Sequence, residues 1–259
     1  MDTLSKWASH MKFTGAAPNT VSTRLRALRR LQREYGDPLT LTRDDLTAFL
    51  SAYDHASTRS TNLSYLRVFY AWAVEEELIE ENPTRRLGSV KVPPGLPRPA
   101  ALSDVVALLE TAAPRTRLFA LLMAYCGLRC CEVALVRHAH ITQRGDGTWW
   151  LTIPLAKGGG DGAVPIPSWV AAEVLAAPEW NVTVQTVQRD TSKAFKRVGS
   201  EATPHQLRHF YGTSALQQTQ NLRYVQQMMQ HASPATTARY TLVQSSEISG
   251  VAESLPRIA

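Results

Sequence analysis

The stretch P-H-Q-L-R-H-F-Y-G-T-S-A-L-Q-Q-T-Q-N-L-R-Y-V-Q-Q-M-M-Q-H-A-S-P-A-T-T-A-R-Y-T, residues 204–241, gathers an unusual set of side chains. Tyr240 follows a histidine nine positions earlier (His231), an arginine 32 earlier (Arg208) and a histidine 35 earlier (His205). A further arginine, Arg129, stands upstream in C-G-L-R-C-C-E at 126–132. A tyrosine hydroxyl has an unperturbed pKa of about 10, so it needs help to act as a nucleophile. Cleaving a phosphodiester without a metal also needs fixed positive charge at the non-bridging oxygens and an acid for the departing alkoxide. Arginine suits the first task, because its fork stays charged and matches two phosphate oxygens. Two guanidiniums, two imidazoles and one phenol are the residue types that attack on a phosphodiester requires.

In this arrangement the chain resembles the tyrosine recombinase, or phage integrase, family. The resemblance rests on Gly127-Leu128-Arg129 followed three positions on by Glu132, and on His205-x-x-Arg208 with Leu207 and His209 around it. It extends to Gln230-His231-Ala232-Ser233, to Tyr240 after Thr236-Thr237-Ala238-Arg239, and to Lys157 in Ala156-Lys157-Gly158-Gly159. These motifs cover roughly residues 100–243; over 1–90 the likeness is one of helical architecture and linker alone. It implies that Tyr240 attacks the scissile phosphate and forms a 3′-phosphotyrosyl link, while Arg129 and Arg208 grip the non-bridging oxygens and His231 adds a hydrogen bond. Lys157 would protonate the 5′-oxygen, His205 would take the tyrosine proton, and Glu132 would orient Arg129 or the histidines. No cofactor, metal or ATP is implied. The implied partners are double-stranded DNA attachment sites and three further copies of the chain, acting as a homotetramer through a Holliday junction. The family's usual residues are replaced at Cys130 and Cys131, and His140 stands where an acidic residue is common.

Working outward, residues 1–90 carry 12 basic and 11 acidic side chains, whereas residues 91–259 carry 16 and 11. The positive excess therefore lies with the Arg/His/Tyr set, as a polyanionic ligand would require. Cys126, Cys130 and Cys131 fall within six positions, which is no disulfide framework. No signal peptide or apolar run of membrane-spanning length is present, so a cytoplasmic, nucleoid-associated protein of a bacterial host, with no membrane partner, is expected. His138 and His140 lack a carboxylate or cysteine set with zinc spacing, and Gly158–Gly160 lacks the G-K-[ST] of a phosphate loop.

The segment 82–100 holds five prolines and two glycines without helical period. It reads as an extended linker, dividing the chain into 1–82, a linker at 83–100, and 101–259. The expected fold is mainly α with a small β-hairpin: an N-terminal helical bundle that binds core DNA, then an α+β catalytic domain with a C-terminal tail. In the first part helices are expected near 3–12, from a cap at Asn19 or Thr20 to Tyr35, after Thr42, and from Thr58 to Ile79. In the second, Ser103 caps a helix to Thr111, and another runs from Thr116 to Tyr125. Strands at Trp149–Pro154 and Ala163–Ile166 flank the K-G-G-G-D-G turn. Further helices are expected at Val170–Ala176, Thr186–Val198, Pro204–Gln218, Leu222–Gln230 and Pro234–Tyr240. The helical part starts almost at Met1, so the arm-binding module of many integrases is expected to be missing, with any directionality factor unseen.

One helix has a face suited to DNA. At 100° per residue, Val21, Leu25, Leu28, Leu31 and Tyr35 share one side, while Arg26, Arg29, Arg30 and Arg33 share the other. Only Glu34 is near as a counter-charge, so a phosphate backbone would relieve the repulsion within the stripe. Lys193, Lys196 and Arg197 are further candidates for DNA contact. Which arginine reads a base and which holds a phosphate stays open at this level. Two alternatives also stay open: a type IB topoisomerase-like relaxase, which shares the phosphotyrosine chemistry, and a non-catalytic DNA-binding factor on the same fold.

Overall fold

The computed structural model describes residues 2–93, 95, 98–156 and 160–229. The chain divides into two compact units, Met1–Pro94 and Gly95–Ala259.

The first unit contains α1 (Thr3–Phe13), α2 (Pro18–Tyr35), α3 (Arg43–Ser51) and α4 (Ala56–Glu75). α2 starts before the expected Asn19/Thr20 cap, because Pro18 takes the first helical position, where a fixed φ and a missing N–H cost nothing. Gly36, at φ +93°, ends it. α3 opens with a capping box: the Thr42 amide donates to Asp45 Oδ2 (2.8 Å) and the Asp45 amide to Thr42 Oγ1 (3.3 Å). α4 stops at Glu75, short of Ile79. Glu77 turns left-handed (φ +55°), and the Leu78 and Glu77 amides close back on the carbonyls of Ala73 (2.9 Å) and Val74 (3.0 Å). The apolar stripe of α2 (Val21, Leu25, Leu28, Leu31) is buried with Trp7, Phe49, Leu66 and Phe69. The buried Tyr70 hydroxyl donates to the Pro38 carbonyl at 2.7 Å.

The first part of the proline-rich stretch is not extended. Asn82 Oδ1 accepts from the Thr84 amide (2.8 Å) and hydroxyl (2.7 Å), and Arg67 donates to the Leu87 carbonyl (2.7 Å). Leu87 and Val90 pack against the first unit's core.

The second unit begins with α5 (Leu102–Thr111), α6 (Pro114–Tyr125) and the single turn α7 (Cys130–Val133). Ser103 lies inside α5 rather than capping it, since Ala101 takes the cap position. An antiparallel sheet follows, β1 (Ile141–Gln143), β2 (Trp149–Ala156) and β3 (Gly160–Pro165), in the order β1-β2-β3. β2 and β3 form the expected hairpin, paired Leu151 with Val164 and Thr152 with Ala163, and β1 adds a strand. Leu151, Ile153 and Val164 point into the core. Then come α8 (Ser168–Ala176), α9 (Val184–Arg197), α10 (Pro204–Thr219) and α11 (Leu222–Met228). α6, buried almost all round, is the centre of this unit: Phe119 packs edge-on against Trp180 (5.4 Å), whose indole donates to the Val133 carbonyl (3.1 Å) and so pins α7. The expected helix at Pro234–Tyr240 lies outside the described residues.

Candidate functional site

The site is built where α6 ends and α7 begins, against α10. Gly127 closes α6 in the left-handed region, at φ +66°. A Cβ there would meet Tyr211 of α10 at 2.7 Å from Cε1 and closer still to Cδ1. Glycine is thus required twice, for backbone conformation and for close approach of a buried ring. Leu128 turns inward, its amide donating to the Leu122 carbonyl (3.2 Å), and this leaves Arg129 at the N-terminus of α7.

Glu132 organises the arginines. Its Oε2 accepts from the Arg129 amide (2.6 Å) and its Oε1 from Arg129 Nη1 (2.7 Å). Arg208 Nη1 stands 3.8 Å from Oε2 of the same carboxylate. Glu132 is 5% exposed and Arg208 4%, whereas the Arg129 side chain is 30% exposed. Arg208 also donates through Nη1 to the Gly127 carbonyl and through Nη2 to the Met229 carbonyl. It therefore ties the α6–α7 turn to the end of α11. Among the described residues, two guanidiniums share this one buried carboxylate, an arrangement that favours an anion beside them.

His205 lies one turn before Arg208 on α10, and His209 one residue after it. Their rings meet edge to face at 4.6 Å. The His205 imidazole, exposed at its outer edge, is pushed below the usual histidine range by partial burial and by the Arg208 and Arg129 charges. His209 falls to about 4, through burial first and then His205 and Arg208. Both shifts favour the neutral imidazole. Burial raises the thiols of Cys126 and Cys130, the latter to about 11, which removes thiolate chemistry from these two.

The structure thus brings Arg129, Glu132, His205 and Arg208 together. Lys157, His231 and Tyr240 lie outside the described residues. Sequence reading missed Tyr211, whose ring explains Gly127; the only signal was an aromatic on the inner face of a helix, which any core residue gives.

Residues 173–247 match the phage integrase family and residues 4–80 its N-terminal SAM-like domain. Tyrosine recombinase XerD of Ralstonia nicotianae is 30% identical over 241 residues, covering 80% of this chain and 77% of that protein. The chain belongs to the tyrosine recombinase, or phage integrase, family. It is a site-specific recombinase by that membership. Tyrosine recombinase XerA of Pyrococcus furiosus matches over 97% of this chain and 93% of its own length, at 27% identity. Two solved structures share the fold: a lambda integrase tetramer bound to a Holliday junction (TM-score 0.75, 16% identity, 92% of this chain and 76% of that one), and XerH bound to palindromic difH (TM-score 0.72, 18%, 97% and 83%).

In the recombinase, the expected DNA-contact residues fall on two surfaces, one in each unit. Arg26, Arg29 and Arg33 are exposed on α2, and Arg30 is half-buried beside them. Lys193, Lys196 and Arg197 are exposed on α9. Lys193 and Arg197 line a cavity of about 550 Å³ with Arg115 and the start of α6, where Asp190 accepts from Arg115 (3.2 Å) and Arg189 (3.0 Å). Among the described residues no helix is long and apolar enough to cross a membrane.

Proposed function

We propose that the recombinase cuts and rejoins double-stranded DNA at attachment sites through a 3′-phosphotyrosyl intermediate on Tyr240. The observation that carries this reading is the Arg129–Glu132–Arg208 cluster, in which one buried carboxylate holds two guanidiniums, the groups that match phosphate oxygens. Tyr240 Oη attacks the phosphorus and its proton passes to His205, which burial and the neighbouring arginines bias toward the neutral form. The P–O5′ bond breaks, and Lys157 gives a proton to the departing 5′-oxygen. Arg129 and Arg208 balance the charge that grows on the non-bridging oxygens, with His231 adding a hydrogen bond. Glu132 holds Arg129 by backbone and side chain, so the guanidinium is oriented before DNA arrives. The phosphodiester energy stays in the phosphotyrosine, and attack by the 5′-hydroxyl of another strand reverses the step without ATP.

Four copies acting on two duplexes would exchange one strand pair, pass through a Holliday junction and exchange the other. The likeness to lambda integrase, solved as a tetramer on such a junction, supports that assembly. The biological role in this reading is integration and excision of a phage or mobile element in the bacterial cytoplasm, on nucleoid DNA, with direction set by a separate factor. The deciding experiment mixes a nicked suicide duplex bearing the candidate attachment site with wild type or Tyr240→Phe in EDTA, and resolves the products on a denaturing protein gel. A covalent protein–DNA band from wild type alone is expected. Tight binding with no band on any such duplex would sink the proposal.

A further inference from the structure

The four arginines of α2 are not equivalent in the folded first unit. They line a groove of about 710 Å³ with Tyr53 and Tyr65. Arg33 has 73% of its side chain exposed, and Arg26 and Arg29 are exposed too. Arg30 is held on two sides. Its Nε donates to Glu34 Oε1 at 2.8 Å, and its guanidinium carbon lies 4.6 Å from the centroid of the Tyr53 ring. Tyr53 is itself fixed: its ring meets Phe49 edge-on at 5.5 Å, and its hydroxyl reaches Asn62 Oδ1 at 3.4 Å. Asn62 is buried on α4 and donates to the Thr58 carbonyl at 2.9 Å.

Two consequences separate Arg30 from the others. With Nε committed to Glu34 and the guanidinium over Tyr53, the plane of the fork is set in advance, and its end-on pair, Nη1 and Nη2, has the spacing that a bidentate acceptor needs. A pre-ordered fork loses less freedom per hydrogen bond formed. Second, Glu34 Oε1 lies between two guanidiniums, at 2.8 Å from Arg30 Nε and 3.6 Å from Arg33 Nη2, and as the nearer, hydrogen-bonded partner Arg30 takes most of its charge. A neutralised guanidinium displaces no counterion from DNA, and a carboxylate set against a phosphate is repelled, so Arg30 gains little from the backbone. A guanine edge carries only partial charge and offers O6 and N7 at the spacing of the fork.

We infer that Arg30 is a specificity-determining residue that reads a guanine in the major groove, positioned by Glu34 and Tyr53, while Arg26, Arg29 and Arg33 hold phosphates. This rests on the DNA-recombining reading above. The test lets the full-length wild type and variants select duplexes from a randomised library. Wild type is expected to enrich a consensus in which 7-deazaguanine at one position weakens binding tenfold or more. Arg30→Lys keeps the charge and loses the fork. It should drop the preference at that position alone and no longer sense 7-deazaguanine, with an unchanged salt dependence. Glu34→Gln and Tyr53→Leu should blunt the same 7-deazaguanine effect while the folded-state circular dichroism is retained. Arg29→Ala should instead bind every duplex less well, its slope of log K against log salt falling by about 0.9. An Arg30→Lys protein that selects the wild-type consensus unchanged, or weakens on all sequences alike with a reduced slope, overturns the assignment alone. A wild type that binds yet enriches no consensus overturns both the assignment and the site-specific reading.

Discussion

Replacing Gly127 with alanine should disturb the centre of the site without touching a charged group. Two costs add. The residue sits at φ +66°, where an L side chain loses roughly 1 kcal/mol against glycine. The new Cβ would also lie 2.7 Å from Tyr211 Cε1, well inside van der Waals contact, and Tyr211 is 7% exposed in a packed cluster with Ala215, Leu216, Val225 and Met229. Overpacking of this kind costs about 1–3 kcal/mol, giving a total of about 2–4 kcal/mol. Urea unfolding of Gly127→Ala, Tyr211→Ala and the double variant separates the two terms. Beside Tyr211→Ala the glycine substitution should cost only the backbone part, about 1 kcal/mol, because the ring it collides with is gone. Strand cleavage should fall by about 100-fold in the single variant, since the Gly127 carbonyl receives Arg208 and the same turn carries Arg129. A Gly127→Ala protein within 0.5 kcal/mol of wild type, or one equally destabilised in both backgrounds, would refute the argument that Tyr211 imposes glycine here.

The remaining predictions concern charge. Glu132→Gln leaves the Arg129 and Arg208 guanidiniums without their shared carboxylate, so it should destabilise the chain by about 3 kcal/mol and lower cleavage. Inorganic phosphate should raise the variant's urea midpoint more than the wild type's, and an equal shift in both would count against the two guanidiniums as the place where phosphate binds. His209 falls to about 4 when folded against about 6.5 unfolded, so between those values the unfolded chain binds a proton that the folded chain does not. Its contribution is complete above pH 6.5 and is lost as pH falls toward 4, by about 1 kcal/mol once solvent screening of this half-buried ring is allowed for. Urea midpoints from pH 7 down to 4.5 should show the loss and His209→Gln should flatten it; parallel profiles for the two proteins would remove His209 as the cause.

Much of the site's chemistry was written in local sequence. Gly127-Leu128-Arg129 with Glu132, and His205 with Arg208, lie within one or two helical turns, so spacing alone puts each pair on one element. The Thr42–Asp45 capping box and the apolar stripe of α2 were legible for the same reason: capping and amphipathicity depend on neighbours three or four residues away. Helix ends were less so, because Pro18 and Glu77 act through backbone conformation that a pattern of apolar residues does not report.

What only the tertiary structure decided are contacts between residues distant in the chain. The approach of Arg208 to Glu132, the ring of Tyr211 over Gly127, and the ties from Arg208 to Gly127 and Met229 each join different elements. The same holds for α2, where four arginines share one face in the sequence and a tyrosine from beyond α3 singles out Arg30. Periodicity fixes which face of a helix a residue occupies; which partner covers that face depends on how the helices pack, and it is the partner that sets charge, burial and orientation.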